Sequence, residues 1–213
     1  MHSKFDIQKN DIVSIVGSGG KTTLMFELGK ELKKLGKVLI TTSTKIGIPK
    51  NLEDDEKCSE NFDGEFKNIN LVVTGGNFTD KKITSIEYQK LRELLPKFDY
   101  VLIEADGSKR KPYKASRENE PVIYDFTTKT IAVLPMFKYN QDLTEEDVFN
   151  FELFKERFQN LNLNDSLILD MISHREGIFK NSVGEKYLYL NRVEGDITKL
   201  SIEIEKLGVK LRR

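Results

Sequence analysis

Residues 17–23, Gly-Ser-Gly-Gly-Lys-Thr-Thr, bring together the residue types that grip a phosphate chain. Glycines let the backbone wrap its amide hydrogens around an anion, and a helix starting directly behind them adds the positive end of its dipole. That dipole contributes only about 0.3–1 kcal/mol at an exposed site. A triphosphate therefore needs a cation as well, and Lys21 supplies it. Thr22 stands where the hydroxyl after a phosphate-loop lysine ligates magnesium. Gly17, Ser18, Gly19, Gly20, Lys21, Thr22 and Thr23 are thus the candidate binding residues for a nucleoside triphosphate, ATP or GTP, with magnesium.

The usual spacing asks for a further glycine where this chain has Ile15, so the segment reads Gly-x-x-Gly-Lys-Thr-Thr. This compact variant is similar to the loop of the Mur-type peptide ligases. The alternative is a glycine-rich turn with a coincidental lysine. Agreement of strand, loop, Lys-Thr-Thr and helix argues against it.

A second element carries acids. Residues 100–103 read as a buried strand, followed by Glu104-Ala105-Asp106-Gly107. In P-loop enzymes an acid at such a strand end orients magnesium. Strand alternation puts Glu104 and Asp106 on one side if the strand continues, so both are candidate metal ligands with Thr22. One acid would hold the metal and the other serve as general base or position water. The run also echoes the Asp-x-x-Gly switch of GTPases, with glutamate in the aspartate place. Lys109, Arg110, Lys111 and Lys114 follow directly. Lys109 is the candidate for balancing charge on a transferring phosphoryl group, and Lys21, Glu104, Asp106 and Lys109 form the candidate catalytic set. The same cations could instead grip an anionic substrate or partner, or form a solvated loop.

Two further segments lie where open α/β sheets bind ligands, at strand ends. Thr44 and Lys45 follow the strand at 38–40. Asn191, in Asn191-Arg192-Val193-Glu194, compares with the Asn-Lys-x-Asp base-reading motif of GTPases, with arginine for lysine and glutamate for aspartate; it is a candidate nucleotide contact with a lean toward guanine. His174 reads as a polar residue at a helix end.

Positioning these groups requires a sheet with helices on it. Strands are expected at 12–16, 38–40, 71–74, 100–103, 130–134 and 186–190, alternating with helices at 22–35, 85–95, 145–158, 165–174 and 197–207. The first helix carries Leu24, Leu28, Leu32 and Leu35 on one face, with Gly36 as its stop. The charged stretch 49–68 interrupts the alternation and reads as a loop, either a lid or an edge insertion. The pattern predicts an α/β fold, a P-loop NTPase-like domain with a mainly parallel sheet flanked by helices, formed by residues 1–213 as one unit.

Composition limits the alternatives. The chain has 213 residues, 38% hydrophobic and 32% charged, enough to bury a core. Its 34 basic and 34 acidic side chains cancel, so it has no overall attraction to nucleic acid or an anionic membrane, and neither is expected as a partner. A lone cysteine, Cys58, rules out an internal disulfide and is expected to be an inert loop thiol. The first ten residues have no apolar signal core, and no run approaches spanning length, so a cytoplasmic protein is expected.

Residues 16–23, 41–46 and 104–109, with Pro112, Lys114 and Glu120-Pro121, resemble the YqeC family. The resemblance runs to about Asn191, and Glu104-Ala105-Asp106-Gly107-Ser108-Lys109 is its most specific part. Residues 174–180 are similar to a late block of that family. Phe149-Asn150 stand where a His-Arg-like pair is expected. The family is associated with selenium-dependent molybdenum hydroxylases as a selenium-cofactor biosynthesis or accessory protein. The resemblance implies an NTP-dependent accessory role, with a selenium- or molybdopterin-related small molecule and a molybdenum hydroxylase as partners. A small-molecule kinase of another pathway and a GTPase-like switch that delivers cofactor remain alternatives.

Overall fold

The structure, a computed structural model, describes every residue except Glu65, Phe66 and Asp80. After a short 3-10 turn at His2–Phe5, β1 (Ile12–Gly17) leads through the glycines into α1 (Lys21–Leu32). There follow β2 (Val38–Thr42), β3 (Lys45–Gly47), β4 (Glu56–Glu60), β5 (Leu71–Gly75), β6 (Lys82–Thr84) and α2 (Tyr88–Leu94). Next come β7 (Tyr100–Glu104), β8 (Tyr113–Lys114), β9 (Lys129–Pro135), β10 (Val148–Phe149) and α3 (Phe151–Arg157). The chain closes with α4 (Asp165–Ser173), β11 (Glu185–Asn191), α5 (Thr198–Lys206) and β12 (Lys210–Arg212).

Eight strands form one sheet in the order β12-β11-β9-β1-β7-β2-β5-β4, and its pairings are parallel. Period-two alternation sorts its side chains between two layers. Val13, Ile15, Ile40, Val73, Leu102 and Val133 face α1, where Leu24, Met25, Leu28 and Leu32 cover them. On the other face α2 covers Leu39, Val72, Val101 and Ile103, while α4 and α5 cover Ala132, Leu134, Leu188 and Leu190. The result is an α/β fold with a large parallel sheet flanked by helices, as the alternation predicts. Parallel pairing brings the carboxyl ends of the central strands to one edge. The register levels them there: Ile15 and Thr42 both sit opposite Glu104, Gly17 opposite Val133, and Asn191 opposite Pro135.

Several expectations are corrected. The stretch 49–68, read as a loop, contains the edge strand β4, and its Glu65 and Phe66 lie outside the described residues. It is an edge insertion. Cys58 is therefore in a strand, half-buried, and burial pushes its thiol up to about 11. Leu35 falls beyond α1 and is 59% exposed, because the chain tightens after Lys33 through an i to i+3 bond from Leu35 N to Leu32 O. The expected helix at 145–158 begins only at Phe151, since Val148 and Phe149 pair with Tyr113 and Lys114. Among the described residues no helix is long and apolar enough to cross a membrane.

Candidate functional site

The loop between β1 and α1 is braced from below by β9 and β11. Gly17 has a φ of 89°, and a Cβ there would run into the Val133 carbonyl. That same carbonyl accepts from Ser18 N at 3.0 Å. Gly20, at φ 139°, would place a Cβ 2.7 Å from Asn191 Nδ2. Both positions need glycine on two counts, backbone conformation and lack of space. Asn191 Nδ2 donates to Gly19 O at 3.1 Å, and Ser18 Oγ donates to Pro112 O at 2.7 Å. Asn191 and Ser18 therefore hold the loop in shape with their side chains; Asn191, expected as a nucleotide contact, directs its amide to the loop backbone.

Lys21 is the first residue of α1. Its Nζ donates to Gly17 O at 2.7 Å and meets Asp106 Oδ1 at 3.0 Å, an ion pair without hydrogen-bond alignment. Asp106 Oδ2 accepts from Lys114 Nζ at 2.9 Å and from Gly17 N at 3.2 Å. Lys114 Nζ also donates to Gly107 O at 2.9 Å and lies 3.6 Å from Glu120 Oε2. The Lys21, Asp106 and Lys114 side chains are 4%, 2% and 4% exposed. One carboxylate thus joins two desolvated ammonium groups to the start of the loop.

Glu104 occupies a different place. It shares the parity of Tyr100 and Leu102 along β7, which points it to the α1 side, and its Oε2 accepts from Thr22 Oγ1 at 2.7 Å. Burial raises its carboxyl above the usual glutamate range, opposed in part by the Lys21 charge and the Thr22 hydrogen bond. Asp106 lies past the end of β7, where alternation no longer governs, and turns beneath the loop. The two acids are brought to one site but are not equivalent.

Two grooves open on either side of the loop, and both include Gly19, Gly20 and Thr23. One, of about 460 Å³, is lined by Lys21, Thr22 and Glu104 together with Lys45, Lys82 and Lys109. The other, of about 550 Å³, is lined by Glu27, Arg110, Phe137, Tyr189, Asn191 and Arg192. Lys45 is thus at the site, whereas Thr44 turns back and its N–H donates to Thr42 Oγ1 at 3.0 Å. Arg192, and not Glu194, lines the second groove, with its guanidinium 5.8 Å from the Phe137 ring centre. His174 caps α4 away from both grooves, against the edge of Phe158.

Some residues gain a role that their sequence context does not signal. Lys81 and Lys82 belong to no motif and reach the groove only because β3 and β6 pair. Lys114 reads as one of four loop cations, yet the structure buries it under Asp106; its flanks, Tyr113 and Ala115, are buried, and that apolar alternation is the available signal. Arg157 supports the loop after Asp106, donating to Ser116 O at 3.1 Å and Glu176 O at 2.7 Å.

Comparison with known proteins gives one consistent result. Residues 13–152 match the family described as YqeC protein. An uncharacterized protein YqeC from Escherichia coli (strain K12) is 28% identical over 180 residues, covering 80% of this chain and 70% of that protein. No solved structure matches.

Proposed function

We propose that this chain, which belongs to the YqeC family, binds a nucleoside triphosphate with magnesium at residues 17–23 and uses it in hydrolysis or phosphoryl transfer. The observation that carries this reading is the joint placement of Lys21, Thr22 and Glu104. A threonine hydroxyl lies 2.7 Å from a carboxylate oxygen, at the first turn of a helix, behind a loop with no room for side chains. A hydroxyl and a carboxylate are the hard oxygen donors that magnesium takes. Magnesium, if held there by Thr22 and Glu104, would neutralise phosphate charge.

The protein's own groups divide the remaining work. Lys21 exchanges Gly17 O for a phosphate oxygen, and Asp106 keeps its ammonium aimed along the loop while accepting the Gly17 N–H. Asp106 is then a positioning residue, and Thr22 with Glu104 are the metal ligands. Lys114 holds Asp106 in place. The Phe137 and Arg192 pair offers a flat face for a nucleobase in the second groove, with Asn191 bracing the loop between base and phosphates. Lys109 lines the phosphate groove, where its charge can balance that of a transferring group. The pathway part of the reading, an accessory role in selenium cofactor biosynthesis or in maturing selenium-dependent molybdenum hydroxylases, rests on the family resemblance alone.

The test is a thermal shift with turnover. A ligand at a hundred times its dissociation constant stabilises the folded state by about 2.7 kcal/mol, which for this size moves the midpoint by roughly 5–10 °C. ATP or GTP with magnesium is expected to give that shift, and Lys21→Ala to lose it while remaining folded. Turnover is then measured with and without selenide, selenophosphate or molybdopterin cofactor. No shift with either nucleotide at millimolar concentration, or an undiminished shift in Lys21→Ala, removes the proposal.

A further inference from the structure

The groove beside Glu104 holds more positive charge than a triphosphate on the loop can use. Six cations line it in addition to Lys21: Lys45, Lys81, Lys82, Lys109, Arg110 and Lys111. Among the described residues that line it, Glu104 is the one carboxylate. Across the whole sequence 34 basic side chains face 34 acidic ones, so this segregation is a matter of placement and not of composition. Elsewhere some exposed lysines take carboxylate partners, as Lys9 does with Asp99 and Lys30 with Glu53, and those that do not, such as Lys34 and Lys199, are not gathered in one groove. Among the described residues none of the six is ion-paired; Lys111 is tied to the carbonyls of Glu145 and Val148, and Lys109 lies 5.1 Å over the Phe149 ring.

Two separate elements aim these charges. In the antiparallel pair of β3 and β6, Ile46 and Ile83 are buried against the α1 layer, which leaves Lys45 and Lys82 on the outer face. Lys109 and Arg110 occupy the centre of a tight turn closed by Lys111 N donating to Ser108 O at 2.9 Å, with φ of 49° and 68°. Left-handed backbone at two adjacent non-glycine residues is strained, and such strain clusters at ligand clamps. β3 packs on β2 and β6 on β5, two and three strands from β1 in the sheet. At about 4.8 Å per strand the backbones of β3 and β6 lie roughly 10–15 Å across from the loop that would hold the triphosphate. In that reading Lys21 and the loop amides serve its phosphates, which leaves Lys45, Lys81 and Lys82 as surplus charge at the far side of the groove.

Building on the triphosphate reading, we infer that this groove is a second anion site, which holds a phosphate-bearing small molecule beside the nucleotide. Lys45, Lys81 and Lys82 at the β3–β6 pair and the Lys109-Arg110 turn grip its phosphate from two sides. Converging ammonium and guanidinium groups suit a dianion with three free oxygens better than a single carboxylate.

Inorganic phosphate is the probe, titrated by calorimetry into protein saturated with magnesium and a non-hydrolysable triphosphate, with succinate as the carboxylate control. Phosphate is expected to bind the nucleotide complex, and Lys45→Ala/Lys81→Ala/Lys82→Ala to weaken it by about tenfold or more, equal to about 1.4 kcal/mol. These three side chains are exposed, so the variant is expected to keep the wild-type melting midpoint. Arg110→Ala, on the other wall, repeats the test, with triphosphate affinity measured alongside because Arg110 also lines the groove read as the nucleobase site. Phosphate binding that ignores both variants, that disappears once the triphosphate is bound, or that succinate matches overturns the second site. If wild type binds no triphosphate at all, the nucleotide reading fails by itself. The effect of the triple lysine variant on phosphate binding to the free protein then decides this inference alone.

Discussion

The two ends of α1 each carry a buried lysine among carboxylates, and the two arrangements have little else in common. At the carboxyl end, Lys33 meets Asp55 at 2.7 Å and both Glu53 and Glu56 at 2.8 Å. A cation there complements the helix dipole. Glu53 and Asp55 are 56% and 34% exposed, so water solvates the outer side of the cluster. At the amino end, Lys21 stands against the dipole and shares one nearly inaccessible carboxylate with a second buried lysine. The dipole and the lack of water oppose that placement, and the Asp106 ion pair at 3.0 Å is what offsets them in the free protein. An anion delivered to the loop would add to that offset in our reading. Charge that the fold disfavours, beside a groove, is the signature of a site; charge that is paired and wetted holds an edge strand on.

That contrast is broken most directly at Asp106. Asp106→Asn leaves two desolvated ammonium groups with a neutral amide, and removing one partner of a buried pair costs about 3–5 kcal/mol. At roughly 2–4 °C per kcal/mol the midpoint is expected to fall by about 6–20 °C. Equal stability of Asp106→Asn and wild type in a denaturant titration would mean that Asp106 is not the hub of the cluster. Lys33→Met is expected to be milder, at about 1–3 kcal/mol, because Glu53 and Asp55 return to water and only Glu56 is left buried. Its damage should be local, seen as faster proteolysis across residues 53–60 with the rest of the chain protected. Uniform destabilisation without a local cut would place Lys33 in the global core instead.

The same contrast separates what is legible in the sequence from what is not. The loop at residues 17–20 is legible because a tight turn at positive φ between a strand and a helix demands glycine, and a lysine and a threonine follow at the helix start. Glu104 is legible because the parity of a buried strand carries it to the α1 side. The role of Asp106 is not, since it lies two residues past the last paired position, where the period of two no longer applies. β4 is not legible either. Its residues, Glu56-Lys57-Cys58-Ser59-Glu60, have no apolar alternation, because an edge strand here is held by backbone pairing to β5 and by Lys33 at its start. The antiparallel pair of β3 and β6, distant in sequence, has three residues on each side, too few for any periodicity, so the cations it brings to the groove belong to no readable motif.

The smallest expected effect concerns pH, and here the two clusters must respond in opposite directions. Hydrogen bonds from Lys33 hold Glu53 and Asp55 below their ordinary values of 4.5 and 3.8. An acid with a depressed folded-state pKa adds stability above its unfolded value and loses it as pH falls through the folded one. Burial would lower the Lys33 pKa, but its bonds to Asp55, Glu53 and Glu56 outweigh that and raise it, so this side of the cluster persists until strongly alkaline pH. Glu104 is the reverse case. Burial raises its pKa above 4.5, so the protonated form is favoured in the folded state, and stability present below 4.5 is lost as pH rises through the folded value. Without magnesium, the stability difference between wild type and Lys33→Met should therefore shrink on acidification below the ordinary carboxylate range. Over the same range Glu104→Gln, which cannot ionise, should gain on wild type as pH rises toward neutrality. Denaturant titrations of the three proteins between pH 3 and 7, a window set by those carboxylate values, give the two slopes. Slopes of the same sign, or a Glu104→Gln difference that is flat with pH, would show that Glu104 is solvated like Glu53 and does not carry the desolvated charge that marks the site.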